Sequence, residues 1–329
     1  MIARAFQFVP NPRVSAGLLL LSGLAALAAA QPAANAELDV LPVQGNIYMI
    51  AGAGGNITVQ VGEMGVLVVD TGLASMSDQV IAAIRKLSNK PLQYIINTHF
   101  HPDHTGGNAA VRKYGVTITG ANVTGNLTDA RLGAQIIAHE NVLNRMSAPT
   151  GKEAPTPEDS WPTDTYVSGQ KKLFFNDEPV EIIWQPAAHT DGDSLVFFRH
   201  SDVISTGDIF VTTSFPFIDV DHGGSIQGEI DSLNRLLEMT VPKHDEEGGT
   251  YLIPGHGRIC DEFDLVEYRD MVTIVRDRVQ AAIKKGMTLE QVKAAHYTKD
   301  YDARYDTKSQ FGSADGFVEA VYKSLTKKK

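Results

Sequence analysis

The chain has 329 residues, 43% hydrophobic and 21% charged, with a formal net charge of −10. That is an ordinary globular composition able to bury a sizeable core, and it excludes collagen-like, disordered and disulfide-stapled chains. With 29 Lys+Arg against 39 Asp+Glu, the surface has the wrong sign for tracking phosphates, so nucleic acid is not an expected partner.

Arg4 and Arg13 precede an apolar run over residues 17–29, too short for a hydrocarbon core of about 30 Å but the length of a secretory h-region. Residues 1–30 therefore read as a signal peptide. Cleavage falls after Ala30 or, from Ala34 and Ala36, after Ala36. Residues 31–329 read as a single domain ending in C-terminal helices from about residue 261. Since they hold no further run of about 20 apolar residues, the mature chain is expected to be periplasmic or secreted, without stable membrane insertion. No heptad pattern commits it to a monomer or a homodimer. Cys260, the one cysteine, reads as a buried thiol.

Along the chain, branched runs at 46–50, 57–61 and 66–70 predict an opening β-meander. The glycines at 52–55 resemble a phosphate loop, but no Lys-Ser/Thr follows and a hairpin turn accounts for them. A helix is expected over 77–87, a buried strand over 94–97, and a helix from about Thr105 that Gly115 caps. Residues 122–146 read as one longer helix with Leu132, Ile136, Leu143 and Met146 on a shared face, which makes His139 a packed core histidine. Residues 147–165, with four prolines, form a long connection in which Trp161 reads as an anchor. Strands are expected at 180–184, 194–198, 203–205 and 250–253, an amphipathic helix near 225–239, and helices from Asp261 onward with a short one starting near Thr288.

Three of the ten histidines fall in Thr98-His-Phe-His-Pro-Asp-His-Thr-Gly-Gly107, directly after a buried strand. In an extended segment residues i and i+2 point the same way, so His99 and His101 present their imidazoles together and Asp103 follows on that side. His104 opens the next helix. Two histidines can hold a zinc from one side while the Asp/His pair behind them holds another. Three more ligand types stand where apolar strands stop: His189, Asp208 and His256, each with a glycine nearby that permits a tight turn.

This set resembles the metallo-β-lactamase-fold hydrolases, over roughly residues 40–260, with His99-Phe-His-Pro-Asp-His104 as the His-x-His-x-Asp-His motif. The resemblance implies an α/β fold, the four-layer αβ/βα sandwich with two facing mixed β-sheets and outer helices. It also implies that Asp70 orients a metal-bound histidine from behind. Carried over residue by residue, it puts one Zn2+ on His99, His101 and His189, a second on Asp103, His104 and His256, and Asp208 across both, although iron, manganese or cobalt suit the same donors. The implied activity is that of a dinuclear zinc hydrolase, β-lactamase-like. A hydroxide shared by the metals attacks the carbonyl of a small-molecule substrate, and Asp103 orients it.

A periplasmic address favours a cyclic amide, a β-lactam. The alternative is a lactone or thioester, because the Asp208 bridge is more typical of enzymes acting on those, whereas Val211 stands where quorum-signal lactonases carry tyrosine. A non-enzyme alternative is a metal-binding accessory protein of a periplasmic redox system. Phe215, Phe217 and His222, which follow the bridging aspartate, are expected to line the substrate pocket. Arg258 is a candidate partner for a substrate carboxylate. His200, His244 and His296 need no functional explanation.

Overall fold

The branched runs of the sequence resolve into two mixed sheets. A computed structural model describes residues 37–116, 133–149, 154–244, 248–307, 309 and 311–327, and the signal-peptide reading with its two cleavage sites lies outside them. Strands β1 (Asp39–Gln44), β2 (Ile47–Ala51), β3 (Ile57–Gly62) and β4 (Gly65–Val69) form an antiparallel meander. To it β5 (Leu92–Ile96), β6 (Gln135–His139) and β7 (Asp164–Tyr166) add in parallel. Parallel neighbours need crossovers. Along those connections the described residues form α1 (Ser77–Leu87), α2 (Pro102–Thr105), α3 (Asn108–Tyr114) and α4 (Glu140–Ser147). The second sheet comprises β8 (Gln170–Phe175), β9 (Glu178–Trp184), β10 (Ser194–Phe198), β11 (Val203–Gly207) and, after α5 (Ile226–Met239), β12 (Tyr251–Pro254). Its spatial order is β12-β11-β10-β9-β8, with only β11 and β12 parallel. Helices α6 (Glu262–Lys284), α7 (Leu289–Ala294), α8 (Asp302–Tyr305) and α9 (Ala314–Thr326) follow, and no described helix is long and apolar enough to cross a membrane.

Side chains alternate across a strand, and here both faces are buried, so the central strands read as unbroken apolar runs. Leu67, Val69, Ile96 and Ile137 of the first sheet meet Val180, Ile182, Val196, Val203 and Ile253 of the second in a middle layer. Their neighbours Val66, Val68, Ile95 and Ile136 turn the other way, onto Val80, Ile84 and Val111 of α1 and α3. On the far side Ile183, Leu195, Ile204 and Leu252 pack against Leu233, Tyr268 and Phe317 from α5, α6 and α9. The result is the helix, sheet, sheet, helix layering that the motif implied.

One expected element is replaced. The helix read over 122–146 lies partly outside the described residues, and residues 135–139 are a strand, with a helix only from Glu140. Ile136 and Ile137 are buried on opposite faces of a strand held between two parallel neighbours, so tertiary pairing overrides the helical spacing. His139 is buried as expected, but as the N-cap of α4, stacked on Trp184 at 4.4 Å. The edge strand β8, with alternate residues exposed, also escapes the sequence reading. Cys260 is a buried free thiol.

Because β9, β11 and β12 run in one direction, their carboxyl ends open at the same edge. Short connections then deliver His189, Asp208 and His256. On the first sheet the ends of β4 and β5 deliver Asp70 and the His99–His104 segment. Carboxyl ends are where open α/β sheets gather functional loops.

Candidate metal centre

The loop after β5 is held rigidly before it reaches the first histidine. Asn97 and Asn108 exchange side-chain hydrogen bonds of 3.1 and 2.8 Å, and Thr71 Oγ1 donates to Asn108 at 2.9 Å. All three residues are buried, so the network ties the ends of β4 and β5 to the start of α3. Pro102 then ends the extended run and opens α2, with His101 as N-cap. Asp103 is therefore aimed by a helical turn and not by continued extension. It groups with His104 and His256 instead of with His99 and His101.

His99, His101 and His189 bring three ligand atoms within 4.8 Å of one another. Each ring has its outer nitrogen engaged. Thr98 Oγ1 lies 2.7 Å from Asp70 Oδ2 and 3.0 Å from His99 Nδ1. The hydroxyl thus donates to the carboxylate and accepts from the ring, which leaves His99 Nε2 buried with no hydrogen-bond partner. His101 Nε2 donates to Asp219 Oδ2 at 3.0 Å, and His189 Nδ1 donates to the carbonyl of Phe217. That leaves His101 Nδ1 and His189 Nε2 facing each other at 2.9 Å. Burial holds His99 well below the usual histidine range, with His104 and His189 pushing the same way. Burial, helped by His101, brings His189 down to about 4. His99 and His189 are thus neutral acceptors, the protonation state a metal ligand needs.

The second cluster joins Asp103, His104 and His256, also within 4.8 Å. His104 Nδ1 donates to Asp70 Oδ2 at 2.8 Å, and Asp70 Oδ1 accepts from the Thr98 amide at 2.8 Å. His104 Nε2 points inward, 3.1 Å from Asp208 Oδ1. His256 Nε2 lies 3.2 Å from Asp103 and 3.5 Å from Asp208 Oδ1, while Asp208 Oδ2 lies 3.9 Å from His189 Nε2. The Asp208 carboxylate therefore stands between the clusters. Burial would lower His104, but Asp208, Asp103 and Asp70 carry it well above its ordinary value. His256 likewise rises against burial to about 9, chiefly through Asp208. Burial opposes ionisation of both carboxylates, yet His104 and His256 hold Asp103 at about 2, and they hold Asp208 lower than usual.

Two glycines let backbone approach these ligands. A Cβ on Gly55, in the hairpin turn between β2 and β3, would fall 2.4 Å from the His104 ring, and one on Gly255 would fall 2.0 Å from Asp208 Oδ1. The turn read as a mere hairpin is thus also a wall of the centre. The Gly55 amide donates to Asp103 O at 2.9 Å, and the Asn56 side chain donates to Pro254 O at 2.8 Å.

The other predicted residues divide. Phe217 is half-buried, with its ring 5.9 Å from that of His101 and 5.7 Å from that of His189. His222 donates to Asp219 at 2.7 Å and lies 5.2 Å from Phe100. Phe215 does not line the centre. It is fully buried and stacked on Phe317 at 5.6 Å, because the C-terminal helices cover that part of the loop. Arg258 is exposed, and its guanidinium is engaged by Asp264 at 2.5 and 2.8 Å. Trp161 anchors its loop through Thr156 O, and Val211 is core. His200, His244 and His296 are exposed. Sequence reasoning missed Asp219, whose carboxylate accepts from both His101 and His222; these bonds hold it at about 2 although burial opposes them. It also missed Phe311, 5.0 Å from Phe217. Neither has a spacing that links it to the motif.

Two facing mixed sheets, helices outside and a histidine–aspartate centre at the strand ends define the class of αββα hydrolase folds. The chain belongs to the metallo-β-lactamase superfamily, whose family model matches residues 42–256. It is 24% identical over 301 residues to the linear primary-alkylsulfatase of Pseudomonas sp. (strain ATCC 19151), covering 78% of this chain and 53% of that protein. Among solved structures, the sec-alkylsulfatase Pisa1 from Pseudomonas sp. aligns with a TM-score of 0.60 at 16% identity, over 88% of this chain and 50% of its own. DIM-1 metallo-β-lactamase aligns at 0.53 and 16% identity over 72% and 98%, and a metallo-β-lactamase from Pontibacter korlensis at 0.54 and 14% over 72% and 99%. The chain spans about half the length of the alkylsulfatases it matches and nearly all of the β-lactamases. At these identities the structural likeness is one of fold.

Proposed function

We propose that the chain is an exported dinuclear metallohydrolase that opens a cyclic amide such as a β-lactam. The metal centre is carried by one observation: three imidazoles whose outer nitrogens are committed turn bare nitrogens inward, one of them buried with no partner. Imidazoles, those of His99 and His189 already neutral, beside ionised carboxylates are a donor set that fits a divalent cation, zinc above all, with iron, manganese and cobalt suiting the same atoms. In this reading His99, His101 and His189 hold one ion, Asp103, His104 and His256 a second, and Asp208 contributes to both. Bound there, a divalent metal supplies a Lewis acid and an acidified water.

The remaining work falls to the chain. Asp70, Thr98, Asp219 and the Phe217 carbonyl fix the tautomers of the rings. Asp103, whose side chain is 30% exposed against 14% for Asp208, is the carboxylate best placed to hold a proton of the attacking water and steer it to the leaving group. The apolar run at 17–29 supports export, and an exported enzyme works where β-lactams arrive.

The fold shared over nearly the full length of two metallo-β-lactamases accommodates this reading, and the exported address is what favours the cyclic amide. A second reading, an alkyl sulfate ester, is favoured by the 24% identity over 301 residues to the linear primary-alkylsulfatase. Both are tested by expressing residues 31–329, counting metals per chain, and assaying a chromogenic cephalosporin, simple lactones, thioesters and alkyl sulfates with and without chelator. We expect two metals and β-lactam turnover that chelation abolishes and zinc restores. Turnover confined to lactones, thioesters or sulfates would move the substrate. Turnover surviving complete chelation would overturn the metal centre, and two metals without turnover of any class would favour the accessory metal-binding alternative.

A further inference from the structure

The C-terminal segment supplies a side chain to the rim of the centre that lies far from the motif in sequence. Phe311, between α8 and α9, meets Phe217 edge to face, with ring centroids 5.0 Å apart and planes at 89°. Phe217 in turn adjoins the rings of His101 and His189. Both phenylalanines are half-buried, so part of this aromatic surface faces solvent beside a strongly polar site.

Its placement is built into the fold. The Phe215 amide donates to both Tyr305 O, at 3.0 Å, and Gly312 O, at 3.2 Å, and Thr307 Oγ1 donates to Phe311 O at 3.0 Å. Gly312 adopts φ +74, and a Cβ there would fall 2.4 Å from Ser214 Cβ. Only glycine permits the segment to seat this closely, and Phe215, stacked on Phe317, anchors the loop from beneath.

We infer that Phe217 and Phe311 form an apolar wall that receives an alkyl or aryl substituent of the substrate while its reacting bond lies at the metal centre. The inference rests on the hydrolase reading above and adds the substrate's chemical class: compounds with an apolar side group near the scissile bond. A binding site of this kind combines apolar area with a few convergent polar groups. Water displaced from the two rings by a chain of several methylenes strengthens binding, because each methylene buried adds to affinity. Polar or very small substituents leave the wall wet and gain nothing from it.

The test uses metal-anchored probes and does not depend on turnover. The zinc-loaded mature protein is titrated calorimetrically with acetohydroxamate and octanohydroxamate, which share a metal-binding head and differ in the apolar tail. We expect octanohydroxamate to bind at least about tenfold tighter. Phe311→Ala should cut that ratio to about threefold or less, and Phe311→Leu, which keeps apolar bulk and guards against a folding defect, should give an intermediate ratio. Zinc content is measured on every variant. Equal binding of the two probes to the wild type, or a ratio that Phe311→Ala leaves intact, overturns the wall while the metal centre stands. Failure of both probes to bind zinc-loaded protein overturns the metal centre and the wall with it.

Discussion

Each imidazole in the three-histidine cluster has one nitrogen committed outward, and the acceptors that do this are separable by mutation. Asp70 has φ +65, a conformation Asn tolerates better than most residues, so Asp70→Asn should preserve the backbone. It replaces one acceptor oxygen with a donor, in conflict with the Thr98 amide and hydroxyl and the His104 Nδ1–H that Asp70 now accepts. Asp219→Asn does the same to His101 and His222. Each substitution should weaken metal binding by about 10–100-fold, measured by competition with a chromophoric chelator. Unchanged affinity in both would show that these carboxylates do not support the ligands. The two differ in how they could be found. Asp70 is reached through the motif it accompanies, whereas Asp219 lies 118 residues from His101, and only the folded loop after β11 brings them together. The candidate ligands themselves were legible because an i, i+2 pair and polar residues at the ends of apolar strands are visible without a fold.

Elements defined by local pattern were legible, and those defined by neighbours were not. Strands β2 to β4, α1, α5 and the start of α7 at Thr288 follow from alternation, helical spacing and caps. Strand β6 does not, since its helix-like spacing yields to pairing on both sides, and β8 lacks a continuous apolar stretch because it borders only one strand. The glycines beside His189, Asp208 and His256 were legible as positions that permit tight turns and let backbone come close to a metal, whereas the approach of Gly55 to the His104 ring appears only in three dimensions. Gly255→Ala would put a methyl carbon 2.0 Å from Asp208 Oδ1 and 2.8 Å from the Gly207 carbonyl, overlap that the end of β12 relieves only by moving backbone or ligand. We expect a stability loss of about 1–3 kcal/mol together with at least about tenfold weaker metal binding. Gly169→Ala is the control, because nothing lies within 4 Å of a Cβ there. Equal behaviour of the two variants in denaturant titration and metal competition would refute the close-approach argument.

Across the whole molecule, the layer between the second sheet and the C-terminal helices contains a buried ionisable group outside the candidate ligand set. Glu229 of α5 is fully buried, and neither carboxyl oxygen has a hydrogen-bond partner. Tyr268 of α6 is also buried, and burial, with Glu229 nearby, raises its hydroxyl well above the ordinary tyrosine value. Burial, reinforced by Asp193 and Asp208, raises the Glu229 pKa well above 4.5, so folding takes up a proton wherever the unfolded carboxyl is ionised. The stabilising contribution of the neutral form is complete below the unfolded pKa near 4.5 and is lost as pH rises through the folded value. Glu229→Gln keeps the shape and removes the titration. Whatever constant offset the buried amide introduces, the thermal midpoint of Glu229→Gln relative to wild type should rise between pH 5 and pH 8. At about 2–4 °C per kcal/mol for a domain of this size, the rise should amount to several degrees. A difference that stays flat from pH 5 to pH 8 would mean that Glu229 is ionised in the fold and has found a partner, and the C-terminal layer would then have to hold a compensating donor.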